Sequence, residues 1–326
     1  MFLDIIILIV SFALILGGAN YLTDGASSVA RRWGVSTLVI GLTIVSIGSS
    51  APEFVISVTS AAHHSGGLAI GDIVGSNLFN IFVIVGVVAI IRPLKVQKGT
   101  LANELPLVVL SSIVLIICSV DKQIDGFAVD EITRSDGLLM ILFFLIFLRY
   151  TFAIAHNTDN VGDPVKIKVY PMWLSLVMIV GGLAALIWGG NLFVESASDM
   201  ARILGVSEAV IGLTIVAVGT SLPELATSVV AAIKNEPGLA IGTVVGSAVF
   251  NVFLVLGVAA TFWPLTMGGI TLFDFGVLLL ASIMFWAFGQ WFKVRTITRP
   301  EGIIMVLCYI AYTAVLMYYN AIHQVE

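Results

Sequence analysis

Two short strings place carboxylates where an apolar chain has little use for them. "GSSAPE" (residues 48–53) and "GTSLPE" (219–224) each set a proline directly before a glutamate inside a long apolar run. Proline has no N–H and crowds the carbonyl four residues back. Pro52 therefore frees the Gly48 carbonyl and Pro223 that of Gly219, and the neighbouring carbonyls of Ser49 and Thr220 are loosened with them. Such oxygens survive at membrane depth only inside protein or against a wet cavity, and they are good ligands for hard cations. An unpaired charge there costs about 3 kcal/mol or more. No Lys or Arg lies in the middle of any apolar run to pair with Glu53 or Glu224, so the partner is a proton or an external cation.

A second repeated pattern supplies neutral oxygens. "GSNLFN" (75–80) and "GSAVFN" (246–251) hold Ser76 with Asn80, and Ser247 with Asn251, each four residues apart and hence on one helix face. Gly75 and Gly246 are expected to let another helix approach closely. With Ser49, Ser50, Thr220 and Ser221, the set is all oxygen. It suits Ca2+ or Na+ and lacks the thiolates and imidazoles of a zinc or copper site. Two carboxylates balance one Ca2+ or two Na+, and a third Na+ would leave the loaded site positive.

The elements that carry these strings lie in a membrane. Of 326 residues 59% are hydrophobic and 11% charged, with mean hydropathy +1.09, which excludes an ordinary soluble domain. Ten runs reach spanning length: 2–22, 36–62, 68–91, 101–119, 137–156, 171–192, 207–233, 239–263, 270–292 and 302–322. The first has no basic flank or cleavage site and reads as a retained helix. Gly34–Leu94 aligns without a gap onto Gly205–Leu265 at a constant offset of 171, with roughly half the positions identical. Five spans per half is an odd number, so the second copy crosses in the reverse sense. The expectation is an all-α membrane protein of ten transmembrane helices in two inverted-topology repeats of five (1–156 and 171–326), joined by a polar cytoplasmic linker at 157–170, with broken or kinked helices at a midplane ion site. With both termini outside the cytoplasm, twelve of the fifteen Lys and Arg fall in inner loops, as the positive-inside rule requires. This predicts a multi-pass protein of the plasma (inner) membrane.

These motifs closely resemble the two alpha-repeats of the calcium/cation antiporter superfamily, and the ten-span layout resembles its prokaryotic sodium/calcium exchanger branch. The resemblance implies that Glu53 and Glu224 coordinate Ca2+ with the backbone carbonyls of Ser49 and Thr220. It further implies that Ser50, Ser76, Asn80, Ser221, Ser247 and Asn251 contribute to surrounding sodium sites. Archaeal exchangers of the family carry Asp where Asn251 stands, and other members carry Asn. The family also implies a first and sixth span that slide across an eight-helix bundle. "GGAN" (17–20) and "WGGN" (188–191) would make those helices smooth, and Asp24 and Glu195 at equivalent positions would guide cations at the two mouths.

The function expected is an antiporter that exchanges Ca2+ for Na+ by alternating access, acting as a monomer among membrane lipid and needing no cofactor. A Ca2+/H+ or K+-dependent exchanger is the alternative, because buried glutamates take protons readily; the hydroxyls beside both glutamates favour Na+. A hydrolase using Ser49 or Ser50 lacks an activating base, and His63, His64, His156 and His323 all fall in loops or at the chain end. Inverted repeats argue against a channel, and scattered basic residues against nucleic acid. Cys118 and Cys308 read as core packing. Asp72 is read as opening the third span, where either the helix dipole or cation guidance explains it. The segment 121–132 departs from a calcium-binding loop at Gln123 and Ile132 and reads as a solvated acidic turn.

Overall fold

The computed structural model describes residues 2–124, 126, 129–155, 168–203, 217–292 and 295–323. They form α1 (Phe2–Trp33), α2 (Thr37–Ser49), α3 (Ala51–Ala62), α4 (Gly66–Ile91), α5 (Lys98–Ile117) and α6 (Arg134–Ala155). The expected linker at 157–170 lies outside the described residues except for 168–170, and after it come α7 (Met172–Ile203), α8 (Ala217–Thr220), α9 (Leu222–Ile233), α10 (Pro237–Phe262), α11 (Leu272–Gln290) and α12 (Arg299–His323). Among the described residues eight helices are long and apolar enough to cross a membrane, and the bent pair α2–α3 makes a ninth. The expected seventh span is represented by α8 and α9, its first part lying outside the described residues. The chain is an all-helical integral membrane protein.

Two spans form the centre. Buried residues make up 94% of the apolar window of α10 and 78% of that of α4, against 17% in α12, whose remaining apolar side chains face outward as lipid-exposed helices require. α4 and α10 run antiparallel: Gly66 at the start of α4 abuts Leu265 and Thr266 beyond the end of α10, and Asn77 reaches Ala248 and Asn251 midway. Two short antiparallel ladders close opposite ends of this pair. β1 (Leu94–Lys95) pairs with β4 (Thr296–Ile297), and β2 (Glu131–Ile132) pairs with β3 (Leu265–Thr266). The β2 pairing, and Asp130 Oδ1 accepting from the Lys122 amide at 2.8 Å, tie down the two ends of the 121–132 segment.

α1 and α7 pack along one another, also antiparallel, through residues with little or no side chain. A Cβ on Gly18 would lie 2.8 Å from the Gly182 carbonyl oxygen, and one on Gly25 2.8 Å from that of Ser175. Both helices outrun their expected spans. Counting apolar residues ends the first at 22, yet it continues to Trp33 because Thr23, Ser27 and Ser28 are buried against protein rather than lipid. Ser28 Oγ accepts from the Tyr170 amide and from Ser175 Oγ, both at 2.9 Å, which ties the last turns of α1 to the entrance of α7. Arg31 and Arg32 then end α1 where the helix dipole favours cations.

Candidate cation site

The two PE strings make the same break. Ser50 separates α2 from α3 at φ −84°, ψ 13°, and Ser221 separates α8 from α9 at φ −90°, ψ 5°. The first break bends its span by 49°. Proline follows at the second position of each new helix, where its missing N–H costs nothing, and Glu53 and Glu224 follow in the first turn, where the helix dipole favours a carboxylate. Both glutamates are fully buried.

The breaks meet across the two halves. Ser50 Oγ donates to Glu224 Oε1 at 2.8 Å, and Ser221 Oγ donates to Glu53 Oε1 at 3.5 Å. Ser247 Oγ, from α10, donates to the same Glu224 oxygen at 3.4 Å, whereas buried Ser49 Oγ turns back to the Ser46 carbonyl at 3.4 Å. The two carboxylates are near enough to repel one another. Glu53 Oε2 and Glu224 Oε2 are buried and find no partner among the described residues. Asn80 is in the same condition at both side-chain atoms, and Asn251 at Oδ1. A buried polar atom left unpaired costs about 1–3 kcal/mol. This concentration of bare oxygens around two buried acids fits a desolvated cation held in part by neutral ligands. Among the described residues no group of three or more His, Cys, Asp and Glu gathers to hold a metal, so any ion bound here relies on the neutral oxygens.

Of the ten residues singled out, five are brought into the contact just described, Ser50, Glu53, Ser221, Glu224 and Ser247, and Ser49 lies buried directly before the first break. Ser76 and Asn80 are buried on α4 with no hydrogen bond to either carboxylate among the described residues, and half-buried Thr220 ends α8 just before the break. Asn251 is joined instead to a residue that spacing alone passes over. Its Nδ2 donates to Asn77 Oδ1 at 3.1 Å, while Asn77 Nδ2 donates to the Ala248 carbonyl at 3.2 Å. Asn77 stands at the third place of "GSNLFN", where the second string has Ala248. That difference was its only signal. Also unforeseen are π-helical turns at Phe79–Ile84 and Asn251–Leu256, which begin at or beside the two asparagines. One extra residue per turn there re-aims side chains and loosens carbonyls, a habit of functional sites.

Several expectations need correction. Asp24 does not stand free at a mouth: its Oδ1 pairs with Lys234 Nζ at 2.7 Å. Gly246 is tightly packed, since a Cβ there would lie 2.5 Å from Ser46 Oγ, but nothing among the described residues lies within 4 Å of a Cβ on Gly75. "GGAN" and "WGGN" mostly join α1 to α7: Gly18 meets Gly182 and Gly189 meets Ser11, while a Cβ on Gly190 would lie 3.6 Å from the Gly219 carbonyl oxygen beside the second break. Asp72 does not open its helix. α4 begins at Gly66, so Asp72 lies in its second turn, where it accepts from Ser57 Oγ at 3.0 Å.

Comparison with known proteins agrees with this architecture. The pattern of the sodium/calcium exchanger protein family matches residues 3–153 and 174–318. The chain is similar to the putative antiporter CaxA of Alkalimonas amylolytica, 34% identical over 94% of this chain and 96% of that one. It is also similar to the sodium/calcium exchanger MaX1 of Methanosarcina acetivorans, 29% identical over 97% and 99%. The solved structure of the sodium-calcium exchanger NCX_Mj, soaked with Na+ and no Ca2+, superposes with a TM-score of 0.82 at 30% identity, covering 96% of this chain and 98% of that one. The chain belongs to the sodium/calcium exchanger family: it is a transporter, not an enzyme.

Proposed function

We propose that the chain is a secondary antiporter that exchanges Ca2+ for Na+ by alternating access, with Glu53 and Glu224 sharing the transported ion. The observation that carries the reading is the set of buried oxygens without a partner among the described residues, on Glu53 and Glu224 beside two matched helix breaks and on Asn80 and Asn251 in the π-helical turns of α4 and α10. One Ca2+ neutralises both carboxylates, and so do two Na+, so the two loads compete for the same charges. Ser49, Ser50, Ser76, Ser221 and Ser247, with the carbonyls of Ser49 and Thr220, complete the shell with the neutral oxygens that Na+ needs and a proton does not.

Alternating access requires two equivalent halves of opposite sense. The antiparallel pairings of α1 with α7 and α4 with α10 support ten spans in two inverted repeats, with 157–170 as the linker. The close glycine contacts between α1 and α7 favour their moving together past the breaks. Arg92, Lys95 and Arg295 cluster at the β1–β4 end, and this supports reading that end as cytoplasmic, with both termini outside the cytoplasm. The site needs no second subunit.

The test is uptake of radiolabelled Ca2+ into proteoliposomes loaded with Na+, compared with vesicles loaded with K+ or choline and with vesicles given only a pH gradient. Uptake driven by the outward Na+ gradient is expected, with Glu53→Gln and Glu224→Gln abolishing it while the protein still inserts. Uptake driven by protons alone would transfer the coupling to H+, and normal flux in both variants would overturn the shared site.

A further inference from the structure

Asp72 has no role in the shell described above, and its surroundings differ from those of its counterpart in the other half. It lies one helical turn from Ser76 on α4, and its partner Ser57 lies one turn from Glu53 on α3. The two pairs form a ladder leading from the glutamates toward the turn at 63–65. The Asp72 carboxylate interacts electrostatically with both Glu53 and Glu224. At the second turn it is too far along α4 to cap the helix or answer its dipole, an effect confined to the first turn. No Lys, Arg or His pairs with it among the described residues.

The other half has no such acid. At the offset of 171, Ser57 becomes Ser228 and Asp72 becomes Thr243, both fully buried. Thr243 Oγ1 turns back to the Leu239 carbonyl at 2.9 Å, and Ser228 Oγ has no partner among the described residues. α4 and α10 are antiparallel, so these neutral counterparts lie on the opposite side of the glutamates, toward the basic β1–β4 end. Asp72 lies toward the β2–β3 end and is half-buried, with half-buried Gly75 one turn nearer the site. At these matched positions one approach to the glutamates carries a third carboxylate, and the other carries two buried neutral hydroxyls. Among the described residues no three acids gather tightly enough to hold one metal, so Asp72 stands apart from the two glutamates rather than completing a three-carboxylate site with them.

We propose that Asp72 is a one-sided positioning carboxylate, which concentrates Ca2+ at the β2–β3 mouth and hands it to Glu53 and Glu224, giving the exchanger a higher apparent Ca2+ affinity from that face. The inference rests on the antiporter reading and adds sidedness to it; in the orientation proposed above the face is the outer one. Same-sign charge lining a cleft raises the local concentration of counter-ions and their rate of arrival, and salt weakens this in proportion to solvent access.

The test is exchange of Ca2+ for radiolabelled Ca2+ in right-side-out and inverted membrane vesicles, which is independent of the coupling ion. Asp72→Asn is expected to raise the KM for external Ca2+ about threefold or more in vesicles that expose the β2–β3 face. The maximal rate should stay within about twofold of wild type and the KM at the other face should be unchanged. Asp72→Glu should restore the low KM, and raised ionic strength should narrow the gap between Asp72→Asn and wild type. An unchanged KM, an equal rise at both faces, or a fall in maximal rate that Asp72→Glu does not rescue would each overturn the proposal. Wild-type vesicles that exchange Ca2+ but show no Na+-driven uptake would refute only the coupling ion, whereas wild-type vesicles with no Ca2+ exchange would refute both readings.

Discussion

Asn251→Asp tests the shell where its hydrogen bonds can be followed atom by atom. In the native arrangement Asn251 Nδ2 donates to Asn77 Oδ1, and Asn77 Nδ2 donates to the Ala248 carbonyl, leaving only Asn251 Oδ1 bare. An aspartate has no N–H to give. If Asn77 stays as it is, two acceptors face each other; if its amide flips to serve the new carboxylate, the Ala248 carbonyl loses its donor. Either way one fully buried hydrogen bond disappears, at about 1–3 kcal/mol. The new charge joins two buried acids that already repel one another, and an uncompensated buried charge adds a further cost of about 3 kcal/mol or more. The variant should therefore unfold at clearly lower denaturant in chelator, followed for example by SDS titration in detergent micelles. Ca2+ or Na+ should return a larger share of stability to it than to wild type, because the ion neutralises the added charge.

Asn77→Ala supplies the control. It breaks both bonds at once, so Asn251→Asp combined with Asn77→Ala has no hydrogen bond left to lose. The two changes should be non-additive by roughly the value of that bond, about 1–3 kcal/mol. Equal stability of Asn251→Asp and wild type in chelator, or strict additivity with Asn77→Ala, would refute the linkage between these asparagines and with it the placement of Asn251 Oδ1 in the shell.

The two serines at the helix breaks should not be equivalent. Ser50→Ala removes a 2.8 Å bond to a buried carboxylate and Ser221→Ala one of 3.5 Å; charge-assisted bonds are worth about 1.5–3 kcal/mol, so Ca2+ affinity, measured by calorimetry, should fall by an order of magnitude or more in the first and less in the second. Equal losses would mean that the serines act through backbone geometry alone. Adjacent glycines on α7 should likewise differ. Gly182→Ala drives a Cβ to 2.8 Å from both the Gly18 carbonyl oxygen and the Leu22 amide and should cost about 1–3 kcal/mol, whereas nothing lies within 4 Å at Gly181 and its alanine variant should stay within about 1 kcal/mol of wild type. Thermal unfolding of the two variants side by side checks this, and a Gly182→Ala as stable as Gly181→Ala would dissolve the close contact of α1 with α7.

What the sequence revealed and what it hid follow from the kind of signal each feature leaves. Pro52 and Pro223 announce their helix breaks because a missing N–H has one local consequence, and Glu53 and Glu224 announce a site because an acid in an apolar run has few explanations. Spans were legible wherever a helix meets lipid. They failed at the end of α1, where Thr23, Ser27 and Ser28 face protein and a hydropathy count stops eleven residues before Trp33. The π-helical turns were invisible, since adding a residue to a turn demands no particular residue type. Asn77 was hidden by the rule that found its neighbours. Spacing of four puts Ser76 and Asn80 on one face and leaves Asn77 about 100° around the helix, off the face that the motif marks, yet that is the direction from which α10 arrives. Periodicity within one helix predicts which residues share a face. It is silent on what the opposite half brings to the neighbouring face, and in a site built between two halves the supporting hydrogen bonds are decided there. Asp72 illustrates the converse: its chemistry was plain in the sequence, but only the true start of α4 at Gly66 removes the helix dipole as its explanation and leaves the ladder through Ser57 to Glu53 in its place.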